Sequence, residues 1–196
     1  MIRSQNINNA FFSSENDGSL EEILESIGLE NQAATMDQNH SSKIAFADSY
    51  SIYKCDGIYT NKKLLPLVVK TADCVPILME SNKGVSATHA GWKGLEKLIF
   101  EKSMKVHEMS SLKISIGPHA RKCCYEVGVE FLDRFKNSID KVENKYYLDL
   151  TKNIKHFALE NKINMEDTGE CTICNNEYFS YRENKTNERQ FSLIWI

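Results

Sequence analysis

The sequence predicts an α+β fold, and three observations support that class. Short apolar or β-branched runs, typical of strands, cluster between Lys43 and His89. A capped amphipathic helix precedes this cluster, and apolar residues at helical spacing follow it. Because the strands are grouped instead of alternating regularly with helices, the pattern favours α+β over a repeated β-α-β unit. At 196 residues, the chain is expected to form a single domain over residues 1–196.

The first predicted element is a helix over residues 19–27. Ser19 and Glu22 have the spacing of a capping box, in which each side chain accepts a hydrogen bond from the other's backbone N–H. Gly28 suits the left-handed residue that often follows a helix. The apolar residues at helical spacing are Leu20, Ile23, Leu24 and Ile27.

Five short strands are predicted next, separated by residues that favour turns. They cover residues 44–46, 57–59, 65–70, 75–79 and 85–88. The run that contains Pro66 is nearly continuous in apolar residues, which indicates cover on both faces. Because proline lacks a backbone N–H, this run should begin at Pro66 or lie at a sheet edge.

The second half of the chain predicts mostly helices. One helix should follow Gly94, and others should cover residues 129–135 and 150–160. Residues 114–116 form a short predicted strand. Residues 191–196 close the chain as an apolar strand, which we expect to be paired within a sheet.

Charge and hydropathy exclude several classes of partner. The net charge is −3, with 24 basic and 27 acidic residues, and no basic run marks a nucleic-acid or membrane surface. No apolar stretch reaches the roughly 18 residues needed to cross a bilayer. The first residues lack the apolar region of a secretory signal. We therefore expect a cytoplasmic protein with no nucleic-acid or membrane partner.

The six cysteines are Cys55, Cys74, Cys123, Cys124, Cys171 and Cys174. In a reducing compartment, thiols or metal ligands are favoured over disulfides. The spacing of Cys171 and Cys174 suits a structural zinc, but that site needs a second pair. The remaining pair is adjacent in sequence, and neighbouring residues seldom turn both side chains toward one ion. Buried thiols that act as small hydrophobes are the favoured interpretation.

His40, Cys74 and His89 are the candidate metal ligands. Two imidazoles and one thiolate suit Zn²⁺, which in catalytic sites takes three protein ligands and leaves a fourth position open. Asp73 could accept a hydrogen bond from a ligand or from the bound water. Two alternatives remain open at this point. Lone cysteine and histidine side chains are often packing residues, and a Cys74–His89 pair could instead act as a nucleophile for acyl transfer.

Several segments resemble the YfiH family, also called the laccase-domain, multicopper polyphenol oxidase-like or peptidoglycan-editing-factor family. The resemblance runs in order from about Ser19 to Ile196. An Asp56-Gly57 turn and Arg189 also correspond to the family. The segments are QNH at 38–40, KTADCVP at 70–76, HAGWKG at 89–94, IGP at 116–118, CCYEVG at 123–128 and FSYR at 179–182.

The resemblance implies two mixed β-sheets packed between layers of helices. It implies Zn²⁺ bound by His40, Cys74 and His89. The activities it implies are adenosine deamination and phosphorolysis of purine nucleosides and methylthioadenosine, so the partner would be a nucleoside, with phosphate as a possible second substrate. Candidate substrate-binding residues are Trp92, Tyr125 and Arg182, and Asp73 is the candidate for a proton-transfer or ligand-orienting role.

Two features depart from this pattern. A multicopper oxidase needs many histidine ligands, but the chain has five histidines in all, so the laccase activity is disfavoured. The loop before the first helix carries Glu15 and Asp17 where many members have a glycine- and arginine-containing loop suited to an anion, and these carboxylates would repel phosphate. Arg121 and Lys122 could supply positive charge in its place, although both also suit a solvated turn.

Three functional hypotheses therefore remain, and the first is the leading one. The first is a zinc-dependent purine nucleoside enzyme. The second is an amidase that removes a wrong amino acid from peptidoglycan precursors, with either an activated water or Cys74 as nucleophile. The third is a non-enzymatic, zinc-stabilised binding protein, for which a closed four-ligand shell would be the mark.

Overall fold

The computed structural model describes residues 1–30 and 32–196, and it confirms the α+β class. The described residues form fifteen strands, six α-helices and two 3₁₀-helices, the latter at Glu15–Asp17 and Met109–Ser111. The α-helices are α1 (Leu20–Ser26), α2 (Trp92–Glu96), α3 (Ile99–Met104), α4 (Phe131–Arg134), α5 (Lys152–Glu160) and α6 (Tyr181–Asn184). The strands are β1 (Ile2–Arg3), β2 (Ala10–Phe12), β3 (Thr35–Met36), β4 (Ile44–Phe46), β5 (Ile52–Tyr53), β6 (Gly57–Thr60), β7 (Leu67–Thr71), β8 (Val75–Ser81), β9 (Gly84–Ala90), β10 (Lys113–Ile116), β11 (Glu126–Val127), β12 (Ile139–Val142), β13 (Lys145–Leu148), β14 (Asn164–Asp167) and β15 (Gln190–Ile194).

Two larger sheets carry the fold. One has the order β14-β10-β8-β9-β6-β4 and is mixed, because β14 pairs with β10 and β4 with β6 in parallel. The other has the order β1-β2-β15-β7, in which the strands pair antiparallel, and an isolated parallel bridge joins Leu67 of β7 to Ala34. Two small sheets, β11-β13-β12 and β3-β5, flank them.

The cores show how these layers stack. Alternating residues of a strand face opposite sides of its sheet. In β7, Leu67 and Val69 join the cluster that also holds Ile58 and Leu78 of the six-stranded sheet. Val68 instead joins a cluster with Ile23 and other residues of α1. The four-stranded sheet therefore lies between α1 and the six-stranded sheet.

The opposite face of the six-stranded sheet is covered by helices. Ile77 and Ile114 pack there with Ile99 of α3 and Ile154 of α5. The order of layers is thus helix, sheet, sheet, helix, in agreement with the predicted arrangement. No helix in the described part of the chain is long and apolar enough to span a membrane.

Locally encoded elements match their predictions well. The Ser19 side chain accepts a hydrogen bond from the Glu22 backbone N–H, and Glu22 accepts one from that of Ser19. Strand β7 begins directly after Pro66 and lies at an edge of its sheet. The carboxy-terminal strand β15 is paired on both sides.

The predicted helix after Gly94 differs from what the structure shows. It begins earlier, at Trp92, and is interrupted at Leu98, whose φ of 63° is left-handed. Such a conformation is unfavourable for a branched side chain and ends a helix. The apolar stripe therefore belongs to two short helices, α2 and α3. The predicted helix at 129–135 is a single turn, α4, and the predicted helix at 150–160 is α5.

Candidate metal centre

His40, Cys74 and His89 come together at one end of the larger sheets, as their motifs predicted. Cys74 lies in the short connection between β7 and β8, His89 near the end of β9, and His40 in the loop before β4. Their potential ligand atoms all lie within 4.8 Å of one another. The Cys74 Sγ is 3.7 Å from the His40 Nε2, and the two imidazole centroids are 4.8 Å apart.

The backbone turns sharply at two of these positions. His40 has a φ of 60° and Asp73 a φ of 83°, both in the left-handed region. Non-glycine residues held in such regions cost of order 1–3 kcal/mol each, so the surrounding structure must compensate. Two buried carboxylates, those of Asp56 and Asp73, provide hydrogen bonds that hold these turns.

Asp56 fixes the loop of His40 and the ring of His89. It is fully buried, and its Oδ1 accepts hydrogen bonds from the His89 Nδ1 (2.8 Å) and the His40 backbone N–H (2.9 Å). Its Oδ2 accepts from the backbone N–H and the hydroxyl of Ser41 at 2.7 and 2.6 Å. With its Nδ1 engaged, His89 has only Nε2 available to a metal, which is how ligating histidines are commonly oriented.

The sequence placed Asp56 in a family-like turn but gave it no role. Its contacts lie 15 to 33 residues away in the chain, so spacing offered no signal. Burial disfavours ionisation of Asp56, but the hydrogen bonds from His89 and Ser41 outweigh burial and hold its pKa well below the ordinary value. The carboxylate is therefore charged at neutral pH.

The Cys74 thiol and the His89 imidazole shift each other's pKa. Burial would raise the pKa of Cys74, but the two adjacent imidazoles lower it to about 6. For His89, burial is outweighed by Cys74 and Asp56, which raise its pKa to about 9. A thiolate is thus favoured at position 74, which is the form required both for metal ligation and for nucleophilic attack.

Asp73 has a different set of partners from the one its position suggested. Its Oδ1 accepts hydrogen bonds from the hydroxyls of Thr172 and Ser180, at 2.8 and 2.7 Å. Its Oδ2 accepts from the Arg182 backbone N–H at 2.6 Å. Within the described residues it makes no hydrogen bond to the three candidate ligands. Asp73 therefore fastens α6 and the segment around Thr172 to the connection that carries Cys74.

A cavity of about 860 Å³ opens onto the candidate ligands. Ligand pockets in proteins commonly have about 300–1,000 Å³. The three predicted substrate-binding residues, Trp92, Tyr125 and Arg182, all line this cavity. The Arg182 guanidinium lies 4.8 Å from the centre of the Tyr125 ring, and burial raises the pKa of Tyr125 to about 12. Tyr125 therefore presents a neutral hydroxyl to the cavity.

The lining is strongly cationic. Two carboxylates, Asp37 and Asp73, share it with a larger group of basic side chains, and Asp73 is already engaged by three donors. Lys70, Lys93, Arg182 and Arg189 belong to segments or positions that resemble the family, whereas Lys185 lies outside those segments and was not predicted. The basic residues of the lining are Lys70, Lys93, Arg182, Lys185 and Arg189.

Arg121 and Lys122 do not supply charge to this cavity, so of the two alternatives considered for them, the structure favours the turn that pairs with other residues. Arg121 pairs with both oxygens of Asp167, at 2.7 and 3.0 Å. Lys122 pairs with Asp140 at 2.8 Å. Neither side chain lines the cavity, since the turn that carries them points toward β12 and β14.

The backbone at Gly91 approaches two of the candidate ligands closely. A Cβ atom added at Gly91 would lie 2.8 Å from the Cys74 Sγ and 2.8 Å from the His40 Cδ2. Only glycine allows the chain to approach the sulfur and the ring so closely. Two nitrogens and one sulfur facing an open cavity fit Zn²⁺ with its fourth position free.

The other histidines occupy unrelated environments. His107 is hydrogen-bonded to Ser81 and Ser86, and His119 to the Gly117 carbonyl oxygen. His156 is exposed beside Glu160. In the described ranges no further histidine joins the candidate centre, so the donor set does not resemble one for several copper ions.

Comparisons with known proteins place this geometry in context. Residues 14–196 match the family described as "Multi-copper polyphenol oxidoreductase laccase". A "Purine nucleoside phosphorylase" of Aquifex aeolicus is 37% identical over 145 residues, covering 72% of this chain and 70% of the relative. One from Clostridium acetobutylicum is 38% identical over 174 residues, covering 80% and 74%. The crystal structure of the Bacillus licheniformis hypothetical protein YfiH shares the fold, with a TM-score of 0.80 at 22% identity, covering 90% of this chain and 79% of that one.

Proposed function

The chain belongs to the YfiH family, which carries the multi-copper polyphenol oxidoreductase laccase description, and from this premise we propose that it is a zinc-dependent enzyme of purine nucleosides. The observation that carries the proposal is the convergence of His40, Cys74 and His89 at an open cavity. It is supported by relatives named purine nucleoside phosphorylase at 37–38% identity. The reactions proposed are phosphorolysis of purine nucleosides, including methylthioadenosine, and deamination of adenosine.

In this proposal His40, Cys74 and His89 would hold the ion. Bound Zn²⁺ supplies a water whose pKa is lowered to near 7 and is therefore a source of hydroxide at neutral pH. Asp56 keeps the Nδ1 of His89 occupied, so that its Nε2 faces the centre. Asp73 acts as a positioning residue, because both of its oxygens are used to hold neighbouring segments.

The cavity walls suit the two parts of a nucleoside substrate. Trp92 and Tyr125 offer aromatic surface for a purine, and the neutral Tyr125 hydroxyl can donate a hydrogen bond. Arg182, Lys185 and Arg189 offer positive charge for a phosphate oxyanion. This cationic wall replaces the anion loop that the amino-terminal segment lacks, so phosphorolysis is favoured over deamination alone. A redox role is disfavoured, because zinc has no redox chemistry.

A second candidate is the amidase acting on peptidoglycan precursors. The observation in its favour is the Cys74 sulfur beside the His40 ring, with a pKa lowered to about 6. Such a thiolate is a competent nucleophile for an amide carbonyl. The same cationic wall would suit a nucleotide-linked substrate. The third candidate, a purely structural zinc, is disfavoured because the three ligands face an open cavity instead of a closed shell.

One assay separates the proposed reactions. Purified zinc-loaded protein is incubated with adenosine, with and without inorganic phosphate, and the products are resolved by chromatography. Phosphorolysis should give adenine only when phosphate is present, whereas deamination should give inosine in either case. Absence of both products, with zinc bound between pH 5 and 9, would reject the proposal. Release of an amino acid from a nucleotide-linked precursor would support the amidase instead.

Two variants make the assay specific to the site. His40→Ala removes a proposed ligand and should abolish product formation together with zinc binding at this centre. His156→Ala is the matched control, since His156 is an exposed histidine paired only with Glu160. Equal loss of activity in both variants would show that the effect is not tied to the metal centre.

A further inference from the structure

Four cysteines outside the cavity form a second cluster. The Sγ atoms of Cys123, Cys124, Cys171 and Cys174 all lie within 4.8 Å of one another. None is in a disulfide. We propose that these four sulfurs bind a second Zn²⁺, in a closed structural site that is separate from the proposed catalytic one.

The sulfur separations have the size that zinc requires. The Cys123 and Cys124 Sγ atoms are 3.4 Å apart, and those of Cys123 and Cys174 are 3.8 Å apart. A tetrahedral shell with Zn–S bonds of about 2.3 Å places its sulfurs about 3.8 Å from one another. A disulfide instead requires about 2.0 Å. These two separations are closer to those around a shared ion than to the length of a covalent bond.

Local backbone explains how two adjacent cysteines can face one point. The prediction that they would not converge assumed the opposite directions of neighbouring strand residues. Cys123 and Cys124 instead lie in a tight turn, in which the backbone N–H groups of Cys124 and Tyr125 both donate to the Arg121 carbonyl oxygen. In a helix-like turn successive side chains diverge by only about 100°, so both sulfurs can reach the same side.

The second pair lies on a similar turn. The Asn175 backbone N–H donates to the Cys171 carbonyl oxygen at 3.1 Å, which closes the segment from Cys171 to Cys174. Both pairs of cysteines therefore lie on hydrogen-bonded turns.

Burial does not explain the cluster, so the interpretation of these cysteines as buried hydrophobes is wrong for three of them. Cys123 and Cys174 are exposed and Cys124 is half-buried, whereas Cys171 and Cys55 are buried. Apolar packing alone gives no reason for exposed thiols to gather within a few ångströms. An ion bound tetrahedrally by four thiolates gives such a reason, and a site of this kind can remain exposed to solvent on its outer side.

The location of the cluster indicates a structural role for the ion. Thr172, between the two cysteines of the second pair, donates its hydroxyl hydrogen bond to Asp73. Tyr125 directly follows Cys124 and lines the cavity. A zinc ion here would join two turns that each adjoin a lining residue of the cavity, and so it would position Tyr125 and Asp73.

Metal analysis with X-ray absorption at the zinc edge tests the proposal on the full chain, purified under reducing conditions. The decisive sample is His40→Ala, in which the other centre is disabled. We expect it to retain zinc at about one equivalent, with a single shell of sulfur at about 2.3 Å and no nitrogen at 2.0–2.1 Å. This result would stand even if the unmodified protein showed no activity on nucleosides, so the two proposals can fail separately.

Single substitutions of the two exposed cysteines provide the second arm. Cys123→Ser and Cys174→Ser should each lose about one equivalent of zinc while keeping the mixed nitrogen and sulfur shell of the other centre. Cys55→Ser, at a buried cysteine outside the cluster, should keep both equivalents. A metal-free His40→Ala protein with four reactive thiols, a disulfide within the cluster, or iron with inorganic sulfide in place of zinc would each overturn the assignment.

Discussion

Replacing Asp56 by asparagine should weaken zinc binding at the candidate centre without changing any of the three proposed ligands. The substitution keeps the size of the side chain but leaves it one oxygen and an NH₂ group. In the structure, Oδ1 accepts from His89 and the His40 backbone. Oδ2 accepts twice from Ser41 and once, at 3.3 Å, from the Asn39 backbone N–H. Asparagine can satisfy only one of these two sets of donors.

Each orientation of the amide has a definite consequence. If the NH₂ group faces Ser41 and Asn39, the hydrogen bonds that these residues donate to a charged acceptor are lost, at roughly 1.5–3 kcal/mol each. If it faces His89, the imidazole must accept at Nδ1, which moves its proton to the Nε2 that would bind zinc. Loss of such a hydrogen-bond partner typically weakens metal affinity roughly 10–100-fold. We expect a loss in that range together with reduced stability.

The assay is competition with a chelator in a Cys174→Ser background, so that the four-cysteine cluster does not contribute zinc. Denaturant unfolding of the same proteins reports the stability change. Asp149→Asn is the control, because among the described residues the Asp149 side chain accepts hydrogen bonds only from Thr151 at the start of α5. If Asp56→Asn bound zinc within about twofold of the parent, the proposed orientation of His89 by this carboxylate would be refuted.

Three further predictions follow from the same geometry. Gly91→Ala should lose zinc at the candidate centre while keeping the fold, because the added Cβ would lie 2.8 Å from both the Cys74 Sγ and the His40 Cδ2. Metal analysis measures the zinc content, and circular dichroism reports whether the fold is retained. Arg182→Met should raise the KM for phosphate by roughly tenfold, because it removes one charge-assisted contact. Lys122→Met should leave this KM unchanged, because that side chain is paired with Asp140. Initial rates measured at varied phosphate concentration test both expectations. Stability should fall as the pH drops from about 6.5 to about 4, since burial lowers the pKa of His107 to about 4 and the unfolded chain takes up the proton first. The contribution of His107 amounts to at most ~3 kcal/mol. His107→Gln should reduce the dependence in denaturant titrations without abolishing it, because burial also lowers the pKa of His119 to about 4; an unchanged slope would contradict the prediction.

Local sequence signals account for the elements that were predicted correctly. The capping box of α1 and the apolar runs of β7, β8 and β9 carry their own patterns, so no long-range information was needed. The small sheet β11-β13-β12 was missed because its strands are short and only partly buried. The break at Leu98 was missed because nothing in the helical stripe marks a left-handed residue.

The same distinction between local signals and long-range contacts applies to the candidate centre. His40, Cys74 and His89 were selected because each lies in a recognisable motif, and the structure brings them together, although their role as ligands stays a prediction. The contacts of Asp56 and the cationic wall at Lys185 depend on how distant segments meet. Chain spacing holds no information on such contacts, so physical reasoning from the sequence could not reach them.

Asp73 connects the two proposed zinc sites and shows why they should be considered together. It directly precedes Cys74, and its carboxylate accepts hydrogen bonds from Thr172 in the four-cysteine region and from the first turn of α6, which carries Arg182. A shift of the cysteine turns would therefore move a proposed ligand, a cavity cation and the Tyr125 ring at once. Catalytic geometry tolerates little displacement, and a misplacement of about 1 Å can cost about 100-fold in rate. Loss of the structural ion should thus lower kcat even though none of its four ligands lines the cavity, while zinc at the candidate centre is retained.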